Sequence, residues 1–369
     1  MIVGLFPDLG STGGIQRSGC LTALALEFFA ANNGEICRFI SLNDPASLRS
    51  LNVGGREIVF TGFGRSKTGF VASALRLAAR QPSIVLALHP NLAPVIAAMK
   101  IVSPGMRSAV VAHGVEVWTS LPIVRRLSVQ SVDRVLAPSE YTLTAVIREQ
   151  RLPTEKGRKL AWGLGPEFDA GAAPPSGSSP PAGFPRGRII LTVGRWEASE
   201  AYKGVDQLIA ALPTLLKDFP DLQLVAIGEG TDLPRLQSLA RESGAAGRVH
   251  FLPFVSPDRL PNAYDHCEVF AMPSRGEGFG LVFIEAMARG RSVIGGAHGG
   301  TPEIIDDGIN GFLVPHGDLA QLVGRLKRLL ANDSLRREMG GQALAKVRRD
   351  FTFGRFSSEL AAILDELLD

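Results

Sequence analysis

RIILTVGRWEASEAYKG, residues 188–204, is the stretch whose pattern sets the fold class. Its first six residues, Arg188–Val193, are short and rich in Ile, Leu and Val, the signature of a strand buried on both faces of a parallel sheet. A charged segment follows and passes into a helical pattern near 204–218. The same rhythm continues downstream. Strands are expected at 222–227 (LQLVAI), 248–252, 268–272 (EVFAM), 292–295 and 311–314, and helices near 231–243, 257–265, 281–289 and 318–331. In the last of these, Leu319, Leu322, Leu326 and Leu329 recur on one helical face. Upstream, strands are expected at 2–6, 36–40, 84–88, 108–112 and 133–137, with helices near 15–31, 68–80, 92–102, 121–131 and 139–150, and with Asn91 and Ser139 as N-caps. Alternating strands and helices imply parallel sheets covered by helices, here twice over. In such sheets ligands sit beyond the C-terminal strand ends.

The whole chain has 369 residues, which exceeds one ordinary core and predicts two domains. The sharpest change in composition is the Gly, Pro, Ser and Ala-rich segment 163–187. It divides the chain into domains at 1–165 and 188–350, joined by a linker at 166–187. Net charge is only +3, so charge alone does not mark a nucleic-acid protein. It is unevenly divided: residues 1–165 carry 18 Lys and Arg against 10 Asp and Glu, hence +8, and the remainder carries −5. Three scattered cysteines, Cys20, Cys37 and Cys267, argue against a disulfide scaffold or a Cys-based zinc site and fit a reducing compartment. The start, MIVGLF, lacks the basic residues and cleavage site of a signal peptide, and no run reaches the ~20 apolar residues needed to span a bilayer. The expectation is a cytoplasmic protein.

The loops after the strands carry the chemistry. PDLGSTGGIQR, residues 7–17, places Gly13 and Gly14 where a loop becomes a helix, so backbone amides can approach a ligand; it is not the GxGxxG of a dinucleotide dehydrogenase. In GRWEASEAYKG, Arg195 sits past a strand end and Lys203 opens the next helix. A guanidinium and an ammonium converging there would clamp a diphosphate; two solvated surface cations is the other reading. In EGFGLVFIE, residues 277–285, the amides around Gly278, Phe279 and Gly280 precede a helix and suit phosphate oxygens. Glu285 falls inside an apolar helix, where a carboxylate needs hydroxyl donors such as a ribose diol, or pairs with Arg289 one turn on. GGTPE, residues 299–303, forms a further loop in which Thr301 is a candidate cap. His113, in AHGVEVW, ends a strand, and His89 is a weaker candidate. There is no DxD, HExxH, GxSxG or Walker A motif, and His250, His266, His298 and His316 lack metal-ligand spacing.

With these segments in view, the chain resembles the GT-B glycosyltransferases of the large retaining family 4. The matching blocks are GGIQR, AHGVEVW, PSEYT, GRWEASEAYKG, GEG, PSRGEGFGLVFIEAMARG, GGTPEIIDDGINGFLV and FTFGRF. They run through nearly the whole chain and are densest in residues 188–315. The resemblance implies an α/β GT-B fold: two facing Rossmann-like domains with parallel sheets and an interdomain cleft. The last helix, 351–369, would pack back on the first domain. The second domain would bind a nucleotide-sugar such as a UDP- or GDP-sugar, with no cofactor and no metal. By match, Arg195 and Lys203 would neutralise the diphosphate and Glu285 would hold the ribose. Glu277 would contact the sugar hydroxyls with the amides of Phe279, Gly280 and Leu281. His113 would contact the sugar near the reacting carbon, and Gly14 would allow closure over the phosphates. Two departures stand out: Trp196 and Glu197 follow Arg195 where an acidic residue or Asn is usual, and Arg289 follows Ala288 where Cys or Ser is frequent.

The implied activity is a metal-independent hexosyltransferase that retains configuration, working in polysaccharide or glycolipid synthesis. Its acceptor, a glycan, a lipid-linked sugar or a small molecule, would belong to the basic first domain, with no nucleic acid as partner. Arg125, Arg126, Arg148, Arg151, Lys156, Arg158 and Lys159 cluster there. LPIVRRLSV suits either a helix packed on the core or one lying on an anionic membrane, peripherally and at the inner face. A GT-B sugar-nucleotide epimerase and a non-catalytic nucleotide-sugar-binding partner are the alternatives.

Overall fold

The computed structural model describes residues 1–165, 168, 179–256 and 258–369. Contacts divide the chain into two compact units, Met1–Pro166 with Phe353–Asp369, and Glu167–Thr352. Within the linker expected at 166–187, residues 166, 167 and 169–178 lie outside the described residues. So does Pro257, where a helix was expected to begin.

In the first unit the elements are β1 (Ile2–Phe6), α1 (Gly14–Asn32), β2 (Cys37–Ser41), β3 (Leu48–Val53), β4 (Arg56–Gly62), α2 (Lys67–Ala78), β5 (Ile84–Ala87), α3 (Ala93–Val102), β6 (Arg107–Val111), α4 (Ile123–Ser131), β7 (Arg134–Ala137), α5 (Glu140–Gln150) and β8 (Gly157–Lys159). They form an eight-stranded sheet in the order β3-β4-β2-β1-β5-β6-β7-β8. All five residues of β1 are buried, because β1 pairs in parallel on both sides, with β2 and β5. The strand order reverses between β1 and β5, so the loops after these two strands diverge and leave a crevice. Sequence reading passes over β8 and the antiparallel β3–β4 hairpin. Gly54 and Gly55, both at positive φ, form the hairpin's turn.

Ser139 caps α5 by accepting from the Thr142 amide. Asn91 is not a cap. Pro90–Leu92 form a 3-10 turn, and it is His89 whose Nδ1 accepts from the Asn91 N–H at 3.1 Å. Proline suits a first helical position, which moves the cap back to His89. The C-terminal helix, Phe353–Leu368, packs in this unit: Phe353 meets Phe28, Phe356 meets Trp162, and Glu366 pairs with Arg158 at 3.1 Å. Helix α4 buries only Ser128 and Val129. Val129 joins the core of this unit, while Ile123, Val124 and Leu127 are 56%, 64% and 55% exposed, so the helix packs on the core by a narrow face and leaves an apolar one uncovered.

In the second unit, β9 (Arg188–Val193), α6 (Val205–Leu215), β10 (Leu222–Ile227), α7 (Leu233–Glu242), β11 (Val249–Leu252), α8 (Leu260–Asp265), β12 (Val269–Met272), α9 (Leu281–Ala288), β13 (Ser292–Gly296), α10 (Thr301–Ile304), β14 (Gly311–Val314), α11 (Leu319–Leu330) and α12 (Asp333–Asp350) build a six-stranded sheet. Its order is β11-β10-β9-β12-β13-β14, and every pairing is parallel. The reversal falls between β9 and β12, so the loops bearing Arg195 and Glu277 flank the switch point. Helix α11 buries Leu322, Leu326, Leu329 and Leu330, while Leu319 at its first turn is exposed. Helix α12, not anticipated, buries Met339, Gly340, Ala343 and Val347, a face too poor in large apolar side chains to stand out. Among the described residues no helix is long and apolar enough to cross a membrane.

Candidate active site

The loop after β9 is held by main-chain bonds to the loop after β10. Gly194 N–H donates to Ile227 O at 3.0 Å, Trp196 N–H to Glu229 O at 2.8 Å, and Asp232 N–H to Trp196 O at 2.8 Å. The Trp196 ring is buried beneath, and Thr231 Oγ1 donates to Glu197 at 2.6 Å. Arg195 therefore leaves a fixed backbone with its side chain 59% exposed. Lys203 does not open α6 as expected. A 3-10 segment, Ala198–Lys203, intervenes, and Gly204 at φ 78° separates it from the helix.

Both cations close on one carboxylate. Glu200 Oε1 accepts from the Arg195 guanidinium, and Oε2 from Lys203 Nζ at 2.5 Å. Burial pushes the Glu200 carboxyl up, but Lys203 and Arg195 outweigh it and hold it below the usual carboxylate range. Burial opposes the charge on Arg195, yet its bond to Glu200 raises its pKa above the ordinary value. Sequence reading missed Glu200. Its position three residues before Lys203 was the available signal.

Across the switch point, the loop after β12 is tied to the same segment, Arg275 N–H donating to Tyr202 O at 2.7 Å. The Glu277 backbone bridges to Gly299, and its carbonyl accepts from Gly300 N–H at 2.7 Å, so GGTPE lies against EGFG. Glu277 Oε1 is shielded from solvent without a hydrogen-bond partner. Burial raises the carboxyl to about 7, with Lys203 pulling it down and Glu200 pushing it up. Phe279 is buried against Phe351, ring centres 5.6 Å apart, and Gly280 is the N-cap of α9, which begins at Leu281. The backbone amides opening α9 thus lie in the same loop as Glu277.

Glu285 lies within α9, 1% exposed, and accepts from the Tyr264 hydroxyl at 2.8 Å. Arg289 pairs with buried Asp265 at 2.7 Å. Thr301 does not cap α10. Gly300 holds the cap position, and Thr301 Oγ1 is buried without a partner. Ser274 Oγ is in the same condition. Three buried, unpartnered side-chain oxygens, on Ser274, Glu277 and Thr301, therefore follow the ends of β12 and β13. Buried polar groups are ordinarily satisfied, so such a concentration suits a ligand rich in hydroxyls. Among the described residues no group of three or more His, Cys, Asp or Glu side chains could hold a metal ion.

The remaining candidates belong to the first unit. His113, after β6, brings Nε2 within 2.6 Å of Leu88 O, and its backbone N–H donates to Glu116 at 2.6 Å. A carbonyl only accepts, so the proton sits on Nε2 and Nδ1 is left as an acceptor. Burial lowers the His113 pKa against the pull of Glu116, keeping the ring neutral. It stacks between His89 and Trp162 at 5.9 and 5.6 Å. Gly14 opens α1 in open space; it is Gly13, at φ 147°, whose conformation demands glycine.

Known proteins resemble this chain in sequence and in fold. Residues 181–346 match the family described as glycosyl transferases group 1. A phosphatidyl-myo-inositol mannosyltransferase of Mycobacterium leprae is 37% identical over 170 residues, covering 46% of this chain and 44% of that protein. A GDP-mannose-dependent alpha-(1-6)-phosphatidylinositol monomannoside mannosyltransferase of Mycolicibacterium smegmatis is 37% identical over 145 residues, covering 37% of this chain and 38% of that one. The chain thus spans less than half the length of these curated relatives. Among solved structures, Anabaena Alr3699/HepE in complex with UDP-glucose superposes with a TM-score of 0.80 at 19% identity, covering 99% of both chains. The lipopolysaccharide outer core galactosyltransferase WaaB gives 0.70 at 19%, again over 99% of each. At such identities the likeness is one of fold, and that fold is GT-B-like. Through residues 181–346, somewhat less than half its length, the chain is similar to the glycosyl transferases group 1 family.

Proposed function

We propose that the protein is a retaining, metal-independent hexosyltransferase that moves a sugar from a nucleoside diphosphate to a hydroxyl of a glycan, a lipid-linked sugar or a small molecule. The observation that carries this reading is the convergence of Arg195 and Lys203 on two oxygens of one carboxylate, at a switch point, with the unpartnered Glu277 oxygen nearby. Cations so placed can hold a diphosphate and stabilise the charge that develops on its leaving oxygen. In this reading Glu285 takes the ribose hydroxyls. Glu277 and the amides of Phe279, Gly280 and Leu281 take the donor sugar. His113 contacts the sugar near its reacting carbon, and Gly14 leaves room for the phosphates. The acceptor hydroxyl attacks from the face the diphosphate leaves, and the departing phosphate oxygen takes its proton.

The relatives' names support a sugar donor on a nucleoside diphosphate and an acceptor in a glycolipid or polysaccharide pathway. We place the enzyme in the cytoplasm, peripheral to an anionic inner leaflet. Exposed Ile123, Val124 and Leu127 on α4, flanked by Arg125 and Arg126, have the make-up of a helix that lies on such a surface. A thermal-shift screen of UDP-, GDP- and ADP-sugars identifies the donor as the ligand that raises the melting temperature. With that donor, Arg195→Ala and Lys203→Ala should each lower turnover by about 10²-fold or more while the fold survives. Near-normal turnover in both variants refutes the clamp.

A further inference from the structure

Glu200 occupies the position between the two cations that the donor reading assigns to the diphosphate. It gives one carboxylate oxygen to each, Oε1 to Arg195 and Oε2 to Lys203, and its side chain is only 13% exposed. A phosphate bridging the same groups must contact both. The two anions brought onto the same pair of cations repel each other and share the Coulombic attraction of both, so each weakens the hold of the other.

The segment carrying Glu200 is lightly packed, with Tyr202 O held by the Arg275 N–H at 2.7 Å. None of the six residues Ala198–Lys203 is buried, and Glu200 itself departs from helical geometry at φ −111°, ψ 19°. Its flanks are fixed: Trp196 is buried and bonded to Glu229 O, and Gly204 adjoins α6. A lightly packed turn between two anchored ends can move a side chain without disturbing the sheet. Glu197, the other carboxylate of this loop, is engaged by Thr231 and does not bridge the cations.

We propose that Glu200 is an internal competitor for the nucleoside diphosphate, holding Arg195 and Lys203 together in the nucleotide-free protein and recapturing them to expel the product. The proposal rests on the donor-site reading above. Glu200 is a positioning residue: it contacts the two cations in place of the ligand and bears on affinity by releasing and reclaiming them. A purely structural ion pair would make the opposite prediction, since its loss would let both cations wander and weaken anion binding.

The test is calorimetric titration of the full chain and its variants with UDP, GDP and inorganic pyrophosphate, alongside stopped-flow release of the bound nucleotide. Glu200→Gln keeps the size and hydrogen-bonding reach of the side chain and removes its charge. It should bind the nucleotide on the order of tenfold more tightly than the parent and release it more slowly. Glu200→Ala, which also clears the space, should bind at least as tightly as Glu200→Gln. Unchanged or weaker binding by both variants overturns the proposal. Arg195→Ala, run in parallel, separates the two ideas. If Arg195→Ala loses binding while the Glu200 variants do not gain it, the competitor idea falls and the donor site stands. If Arg195→Ala binds as the parent does, or the parent binds none of the three probes, both fall.

Discussion

Gly204 and Pro273 pass so closely that a Cβ on Gly204 would stand 2.5 Å from the Pro273 carbonyl oxygen. This contact joins the loop after β9, which carries Arg195 and Lys203, to the loop after β12, which carries Glu277. Gln207, in the first turn of α6, reinforces it by donating to the same carbonyl at 3.2 Å. Only a residue without a side chain fits, and it must also accept φ 78°.

Gly204→Ala therefore combines a clash with an unfavourable backbone conformation. We expect it to lower unfolding stability by about 2 kcal/mol and to separate the two loops. Denaturant unfolding measures the first effect. A loss of nucleotide affinity greater than that of an alanine placed elsewhere on α6 measures the second.

Glu277 gives a pH signature. Burial raises its carboxyl from 4.5 to about 7 in the folded protein. The folded state therefore holds a proton that the unfolded state has already lost, and stability contributed by the protonated form is lost as pH rises from 4.5 towards 7. Glu277→Gln should be more stable than the parent above pH 7, with the difference closing below pH 4.5. If the carboxylate is the form that accepts sugar hydroxyls, kcat/KM should fall on the acid side of an inflection near pH 7, and the variant should lack that limb.

The exposed face of α4 predicts salt-sensitive membrane binding. The protein should pellet with vesicles containing anionic lipid at low salt, and not with zwitterionic vesicles. Leu127→Asp, or Arg125→Glu with Arg126→Glu, should abolish pelleting. Equal pelleting with both vesicle types, or none at low salt, contradicts the surface assignment.

The second sheet was legible because its strands are buried on both faces and read as unbroken apolar runs, LQLVAI above all. Leu319 looked like core by periodicity and proved exposed, since the α11 face begins one turn later. The β3–β4 hairpin escaped notice because β3 is an exposed edge strand with almost no buried side chains. Helix α6 was expected near 204–218 and begins at Val205, but the contact of Gly204 with Pro273, some seventy residues away in sequence, could not be read from the pattern. Arg195, Lys203 and Glu277 could be nominated from charge and loop position. What periodicity could not supply was the pairing of Glu200 with both cations, or the unpartnered oxygens of Ser274 and Thr301. These are properties of loops folded against each other, whereas a sequence pattern reports the faces of helices and strands.

On the proposed reading, Arg195 and Lys203 exchange Glu200 for a diphosphate. A crystal structure of the protein soaked with UDP or GDP tests it most directly. Diphosphate oxygens should lie within about 3.5 Å of both the Arg195 guanidinium and the Lys203 ammonium, with Glu200 turned away. A nucleotide bound elsewhere, or bound while both cations remain closed on Glu200, would contradict it.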